Sequence, residues 1–401
     1  MKGALLPGSV MAGQPTTLGV MGGGQLGRMF VQAAQRMGYA TAVLDPDPGS
    51  PAGLISHYHL RADYLDEKGL TELAQRCAAI TTEFENVPAD ALRRLAAQCR
   101  VAPRAEAVAL AQDRRLEKRL FAASGVPCAP WAPIETAEQL AALPESLLPG
   151  ILKTSRLGYD GKGQRRVTTR AQLTGAWQEL GRQPCVLEQM LPLAAECSVL
   201  VARGSDGEMV HYAPQLNLHR DGILAVTRAW DGVLPSELAQ QALRSARTLA
   251  QRIGYVGVLC VEFFILAPDA PLARELGLLL ANEMAPRPHN SGHYTQDACD
   301  LSQFELQVRT LAGLPLATPR QHSPAIMLNL LGDLWLQQGE QVRDPDWSAV
   351  LRLPGTHLHL YGKLEARRGR KMGHLNITAA SVAELLSVAT QAARLLGMDA
   401  P

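Results

Sequence analysis

From Thr16 to about Val101 short apolar runs alternate with segments whose apolar residues recur at helical spacing. TLGVMG reads as a strand ending in glycines and QLGRMFVQAAQRMG as a helix. ATAVLD follows as a strand ending at Asp45, LDEKGLTELAQRC as a helix, and AAITTEFE as a third strand. Strands joined through a helix run parallel, with right-handed crossovers almost without exception. This alternation predicts a doubly wound parallel α/β layer, whose ligands bind at the carboxyl ends of the strands.

The texture then changes twice. Val101 to Pro133 is a charged, proline-containing connector with a helix expected at about Asp113 to Ala123. Ile134 to Met190 reads as a small α/β unit containing the strand GILKTS, a glycine-rich turn and a helix around Ala171–Leu180. Beyond it, ECSVLVARG, EMVHYAPQL and GILAVTRAW are separated by SDG and HRDG turns, the signature of antiparallel hairpins. YVGVLCVEFFIL and GLLLANEM form a further expected hairpin, with APDAPLAREL as its turn. HLHLYGKLEARRGRKMGHLNIT reads as two strands about a basic turn, before a last amphipathic helix.

Composition excludes several classes. A formal net charge of +1 gives no electrostatic reason to expect nucleic acid or an anionic membrane as partner. No apolar run approaches the roughly 18–20 residues a membrane-spanning helix needs. The seven cysteines are scattered and never in a CxxC pair, which argues against a zinc site or disulfide framework and fits a cytoplasmic protein. Residues 1–15 read as an unstructured leader.

Gly22-Gly23-Gly24-Gln25-Leu26-Gly27 fits G-x-G-x-x-G between a strand and a helix, with Asp45 about 20 residues on. Such a loop serves a dinucleotide, another phosphorylated ligand, or merely a tight turn. The second loop, Gly158-Tyr159-Asp160-Gly161-Lys162-Gly163-Gln164, is more specific. Glycines with a lysine among them can fold over a polyphosphate and donate backbone N–H groups. Upstream, Lys153 interrupts an apolar strand, which is costly without an anionic partner. Glu262 in VLCVEFFIL and Glu283 in LLLANEM are carboxylates amid apolar neighbours on strands expected to pair. With Asn282 beside Glu283 they offer an oxygen-rich site for Mg²⁺. Arg287, His289, Asn290 and Ser291 then crowd anion-binding and hydrogen-bonding groups into five positions.

Together, LKTSRLGYDGKGQ, LEQML, VEFF and ANEMAPRPHNSGH resemble an ATP-grasp carboxylate–amine ligase. GGGQLGRM, TTEFENVP, APQLNLHRDGIL, NSGHYTQ and GRKMGHLN narrow the resemblance to the N5-carboxyaminoimidazole ribonucleotide synthetase family of purine biosynthesis, from about Thr17 to Thr378. The resemblance implies an ATP-grasp fold of mixed α/β and α+β class. An N-terminal doubly wound domain would span 16–112, a linker helix and small lid 113–190, and a larger antiparallel α+β domain with a C-terminal extension 191–401.

It further implies ATP-dependent carboxylation of 5-aminoimidazole ribonucleotide by bicarbonate, a homodimer, and ATP and Mg²⁺ as cofactors. Carried over by position, Arg114, Lys153 and Gly158–Gln164 would contact nucleotide phosphates. Glu188, Gln189, Met190 and Leu191 would hold the adenine edge and Glu196 the ribose, with His219 nearby. Asn282, Glu283 and Glu262 would hold Mg²⁺. Arg287 and Asn290 would orient bicarbonate, with His289 close, and Asp160 would take the amine proton. Gly24, Gln25, Leu26, Glu83, Ser291, Lys363 and Arg370 would meet the ribonucleotide, with Lys371 as a secondary candidate. A formate-dependent glycinamide ribonucleotide transformylase shares the glycine loop and acidic pair; an NAD(P)-linked oxidoreductase would explain only the first glycine loop.

Overall fold

The computed structural model of the chain describes residues 3–11, 13–158, 163–336 and 342–401. The N-terminal region is a five-stranded parallel sheet. Thr17–Met21 lies at its centre between Ala40–Leu44 and Ala79–Thr82, with Tyr58–Leu60 and Arg100–Val101 at the edges. The three inner strands are buried at every position, because helices cover both faces; that is why they read as continuous apolar runs rather than alternating ones.

The leader is a correction. Val10–Met11 and Gln14–Pro15 pair as a small antiparallel hairpin. Leu5 N–H donates to Ala312 O, and the Tyr39 hydroxyl donates to Leu5 O. These described residues are ordered against the body of the protein.

The small unit is a four-stranded antiparallel sheet in the order Gln164–Val167, Gly150–Thr154, Cys185–Gln189, Trp131–Ile134. The helix Arg170–Glu179 packs Leu173, Ala176 and Trp177 against Leu152 and Leu187 to form its core. The large unit is a nine-stranded antiparallel sheet. From one edge it runs Leu279–Ala285, Gly257–Leu266, Leu193–Arg203, Gln215–Arg220, Ile223–Ala229, Ala325–Leu331, Lys371–Thr378 and Thr356–Leu360, and Met209–His211 pairs beside Leu193–Arg203. The helix Ser236–Arg252 covers one end of this sheet and Val382–Leu395 the other. Val308 and Leu311 of the helix Gln303–Ala312 pack with Leu18 and Phe30, fastening the parallel layer to the large sheet. The expected turn APDAPLAREL contains a short helix, Pro271–Leu276.

Candidate active site

A cleft of about 700 Å³ opens between the small sheet, the large sheet and the carboxyl ends of the parallel strands. That is room for a nucleotide and a second small ligand.

The small sheet gives one wall. Alternate residues of a strand share a face, so Ile151 and Lys153 both line the cleft. Glu188, opposite Ile151, is diagonal to Lys153 on that face. Lys153 Nζ donates to Glu188 Oε2 at 3.0 Å, and Lys118 Nζ lies 3.2 Å from Glu188 Oε1. All three side chains are buried. Burial opposes the charge of Glu188, but Lys118 first and Lys153 second outweigh it, holding the carboxyl at about 2.

The linker helix Arg114–Ala123, capped by the Asp113 carboxylate, turns Arg114, Glu117, Lys118 and Phe121 inward, one stripe at helical spacing. Arg114 donates to Glu283 Oε2 at 2.9 Å. The Glu117 carboxyl accepts the Met284 N–H at 2.6 Å, and burial pushes its pKa up to about 8.

The opposite wall is acidic. Glu262 and Glu283 face each other across paired strands, and the register slips by one residue immediately after them. The extra residue is Asn282, so the bulge brings Asn282 and Glu283, consecutive residues, both into the cleft wall. The Asn282 amide oxygen is buried without a hydrogen-bond partner among the described residues. Burial, and then the neighbouring Glu283 charge, raise the pKa of Glu262. For Glu283 burial acts in the same direction, but Arg114 outweighs it and the pKa is lowered. His289 Nε2 lies 3.0 Å from Glu262 Oε1, and His219 Nδ1 3.2 Å from Glu196 Oε2. Among the described residues no group of three or more His, Cys, Asp or Glu is arranged to hold a metal. Two facing carboxylates and an unpartnered amide oxygen nonetheless suit a hard cation that completes its shell with phosphate oxygens and water.

At the parallel-sheet end the first glycine loop is closed by its own acids. Gly23 N–H donates to Asp45 Oδ2 at 2.6 Å, and the N–H groups of Gly24 and Gly27 donate to the two oxygens of Glu83 at 2.8 and 3.0 Å. A Cβ at Gly24 would lie 2.4 Å from Glu83 Oε1, so only glycine admits this cap. The Gly24 N–H expected to meet a phosphate is therefore occupied, while Gln25, Leu26 and Glu83 line the cleft. Arg287 is ion-paired to Glu85 at 2.5 Å. Asn290 lines the cleft with both amide atoms buried and unpartnered among the described residues.

Several expected residues sit elsewhere. Ser291 is fully buried beneath the cleft, where the Ser198 hydroxyl donates to its Oγ and His289 Nδ1 lies 2.9 Å away. Of the basic turn, Lys371 lines the cleft. Lys363 donates instead to Lys371 O, and Arg370 to Glu365 O. Glu188, Gln189, Met190 and Leu191 are not in the cleft lining; the Met190 N–H is spent on Pro149 O. Gly158 and Gln164 line the cleft, and Gly163 adopts φ 71° while its carbonyl accepts the Thr154 N–H. Tyr159, Asp160, Gly161 and Lys162 lie outside the described residues. Sequence reasoning missed Glu117, Lys118 and His293. The available signal was the acid–base pair Glu117-Lys118, three and four residues after Arg114 and so on its face of the helix.

Residues 15–112 match the ribonucleotide synthetase preATP-grasp domain family, 119–304 the ATP-grasp domain family, and 325–388 the phosphoribosylaminoimidazole carboxylase C-terminal domain family. The N5-carboxyaminoimidazole ribonucleotide synthase of Brucella melitensis is 42% identical over 381 residues, 93% of this chain and 97% of the relative. The Staphylococcus aureus N5-carboxyaminoimidazole synthetase complexed with ADP superposes with a TM-score of 0.83 at 34% identity, covering 94% of this chain and 96% of that one. The Aspergillus clavatus synthase in complex with ADP and 5-aminoimidazole ribonucleotide gives 0.84 at 30% identity, covering 96% and 99%. Among the described residues no helix is long and apolar enough to cross a membrane.

Proposed function

This chain belongs to the N5-carboxyaminoimidazole ribonucleotide synthase family of ATP-grasp ligases, and from that premise we propose that it uses ATP to carboxylate the 5-amino group of aminoimidazole ribonucleotide with bicarbonate. The observation that carries this reading is one cleft lined together by Lys153 and Arg114, by the Glu262–Glu283 pair with Asn282, and by Arg287, Asn290 and Lys371.

Bicarbonate is a poor electrophile, so its oxygen first takes the γ-phosphoryl group of ATP, giving carboxyphosphate and ADP. The amine then attacks the carboxyl carbon, phosphate leaves with the C–O electron pair, and the nitrogen loses a proton. Phosphoryl transfer chiefly needs positioning and charge neutralisation, which Lys153 and Arg114 supply on the phosphates. Glu262, Glu283 and the Asn282 oxygen would hold Mg²⁺, which when bound screens the phosphate oxygens. Arg287, its guanidinium steadied by Glu85, and the unpartnered Asn290 amide would orient bicarbonate. Lys371 is assigned to the ribonucleotide phosphate. Carboxyphosphate hydrolyses readily, so the small sheet must close over it and exclude water. Pairing of two copies is inferred from family membership, and sedimentation checks it.

The occupied N–H groups of the first glycine loop speak against a dinucleotide, since Asp45 and Glu83 already fill the positions a pyrophosphate would take. The test is ADP release on adding aminoimidazole ribonucleotide and bicarbonate. Turnover that requires both supports the proposal. Turnover with formate and glycinamide ribonucleotide instead would overturn it.

A further inference from the structure

We propose that Lys118, which does not line the cleft, is a positioning residue for the nucleotide: by sharing Glu188 with Lys153 it leaves this buried cluster one positive charge in excess, presented to the phosphates through Lys153. The inference rests on the ATP reading above and deepens it.

A lysine taken out of water persists only beside an anion. Lys118, on the inner stripe of the linker helix, has a side chain only 1% exposed, and its ammonium lies 3.2 Å from Glu188 Oε1. That contact is an ion pair without hydrogen-bond geometry, and Lys118 Nζ has no hydrogen-bond partner among the described residues. The other oxygen of Glu188 accepts from Lys153 at 3.0 Å. One carboxylate thus holds two ammonium groups. With Lys153 and Glu188 alone the pair would be neutral, and Lys153 would meet an incoming phosphate with its charge already cancelled. The second lysine restores the excess. Neighbouring groups do not remove it: Arg114 and Glu283 cancel each other in their own pair at 2.9 Å. Glu117, beside Lys118 in sequence, is buried and accepts the Met284 N–H, and burial favours its neutral form. A buried excess of positive charge at the edge of a nucleotide-sized cleft matches a polyphosphate.

The test is calorimetric titration of ADP and, separately, of aminoimidazole ribonucleotide into the full-length protein. Lys118→Met keeps chain length and removes the charge, and the ADP Kd should rise about tenfold or more while the ribonucleotide Kd changes less than about twofold. Adding Glu188→Gln to Lys118→Met removes the carboxylate that cancels Lys153, and the incoming diphosphate becomes the anion that partners it, so the double variant should return to within about threefold of wild-type ADP affinity. A merely structural role for Lys118 predicts no such rescue. An unchanged ADP Kd in Lys118→Met, or a double variant as weak as the single, overturns the proposal. Should Lys118→Met not fold, the double variant decides by the same criterion. A wild-type protein that fails to bind ADP at all would overturn the ATP reading instead.

Discussion

On the small-sheet side of the cleft unlike charges meet before any ligand arrives: Lys153 and Lys118 share Glu188, with one positive charge in excess. On the large-sheet side Glu262 faces Glu283, like against like, and the surrounding partners relieve only part of the conflict: Arg114 pairs with Glu283, and His289 approaches Glu262. The first wall is held by attraction and keeps a positive charge for an anion, whereas the second stores an electrostatic cost that a cation or a proton removes. Perturbed carboxylates of this kind mark places where function is retained against stability. The two walls differ in what they await: an anion on the first, a cation on the second.

The largest expected effect lies on the acidic wall. Glu283→Gln should lower ADP release on the order of 100-fold or more, with the melting temperature little changed because repulsion from Glu262 is lost along with the bond to Arg114. Near-normal turnover would remove Glu283 from the phosphate chemistry.

A smaller effect is expected at the ribonucleotide end. Lys371→Ala should raise the ribonucleotide KM on the order of tenfold while moving the ATP KM little. Lys363→Ala, whose ammonium is spent on Lys371 O, should change it less. The reverse order would restore Lys363 as the phosphate ligand.

The smallest effect is on stability against pH, and here the walls carry opposite signs. Glu188 is held at about 2, below its ordinary 4.5. Its contribution is therefore present above 4.5 and lost as pH falls toward 2. Glu262 is raised above 4.5; it binds a proton more tightly folded than unfolded, so its contribution is present below 4.5 and lost as pH rises through its folded value. Melting curves of the ligand-free protein should show Glu188→Gln flattening the acid limb and Glu262→Gln flattening the neutral one. A Glu188→Gln acid limb identical to wild type would contradict the ion pairs assigned to this wall.

The sequence exposes these walls unevenly. The parallel layer is legible because strands buried on both faces must be apolar throughout, and Lys153, Glu262 and Glu283 stand out as charges within apolar strands. The bulges are not legible. Consecutive Asn282 and Glu283 would point to opposite faces in a regular strand, and only the slipped register puts both in the cleft. A second slip, at Met372, accompanies Lys371 at the start of its strand. Within the basic turn the sequence put Lys363 and Arg370 ahead of Lys371, yet of the three only Lys371 lines the cleft. Asn290 and Ser291 are neighbours of similar polarity, and the turn decides that one faces the cleft and the other the core. On the linker helix, hydrophobic patterning would turn Leu116 inward, yet Leu116 is 41% exposed and the charged stripe is buried. A helix facing a charged ligand site inverts the usual periodicity, and no count of apolar residues detects that. The N-terminal hairpin turns at Gly13, with φ 77°, a position glycine tolerates; two-residue strands are too short for any pattern to announce.

The most direct measurement is a crystal structure of the full-length protein with ADP. The diphosphate should lie between Lys153 and Glu283, with adenine against the Ile151 side of the cleft. A nucleotide seated on the Gly22–Gly27 loop, or phosphates out of reach of both Lys153 and Glu283, would contradict this arrangement.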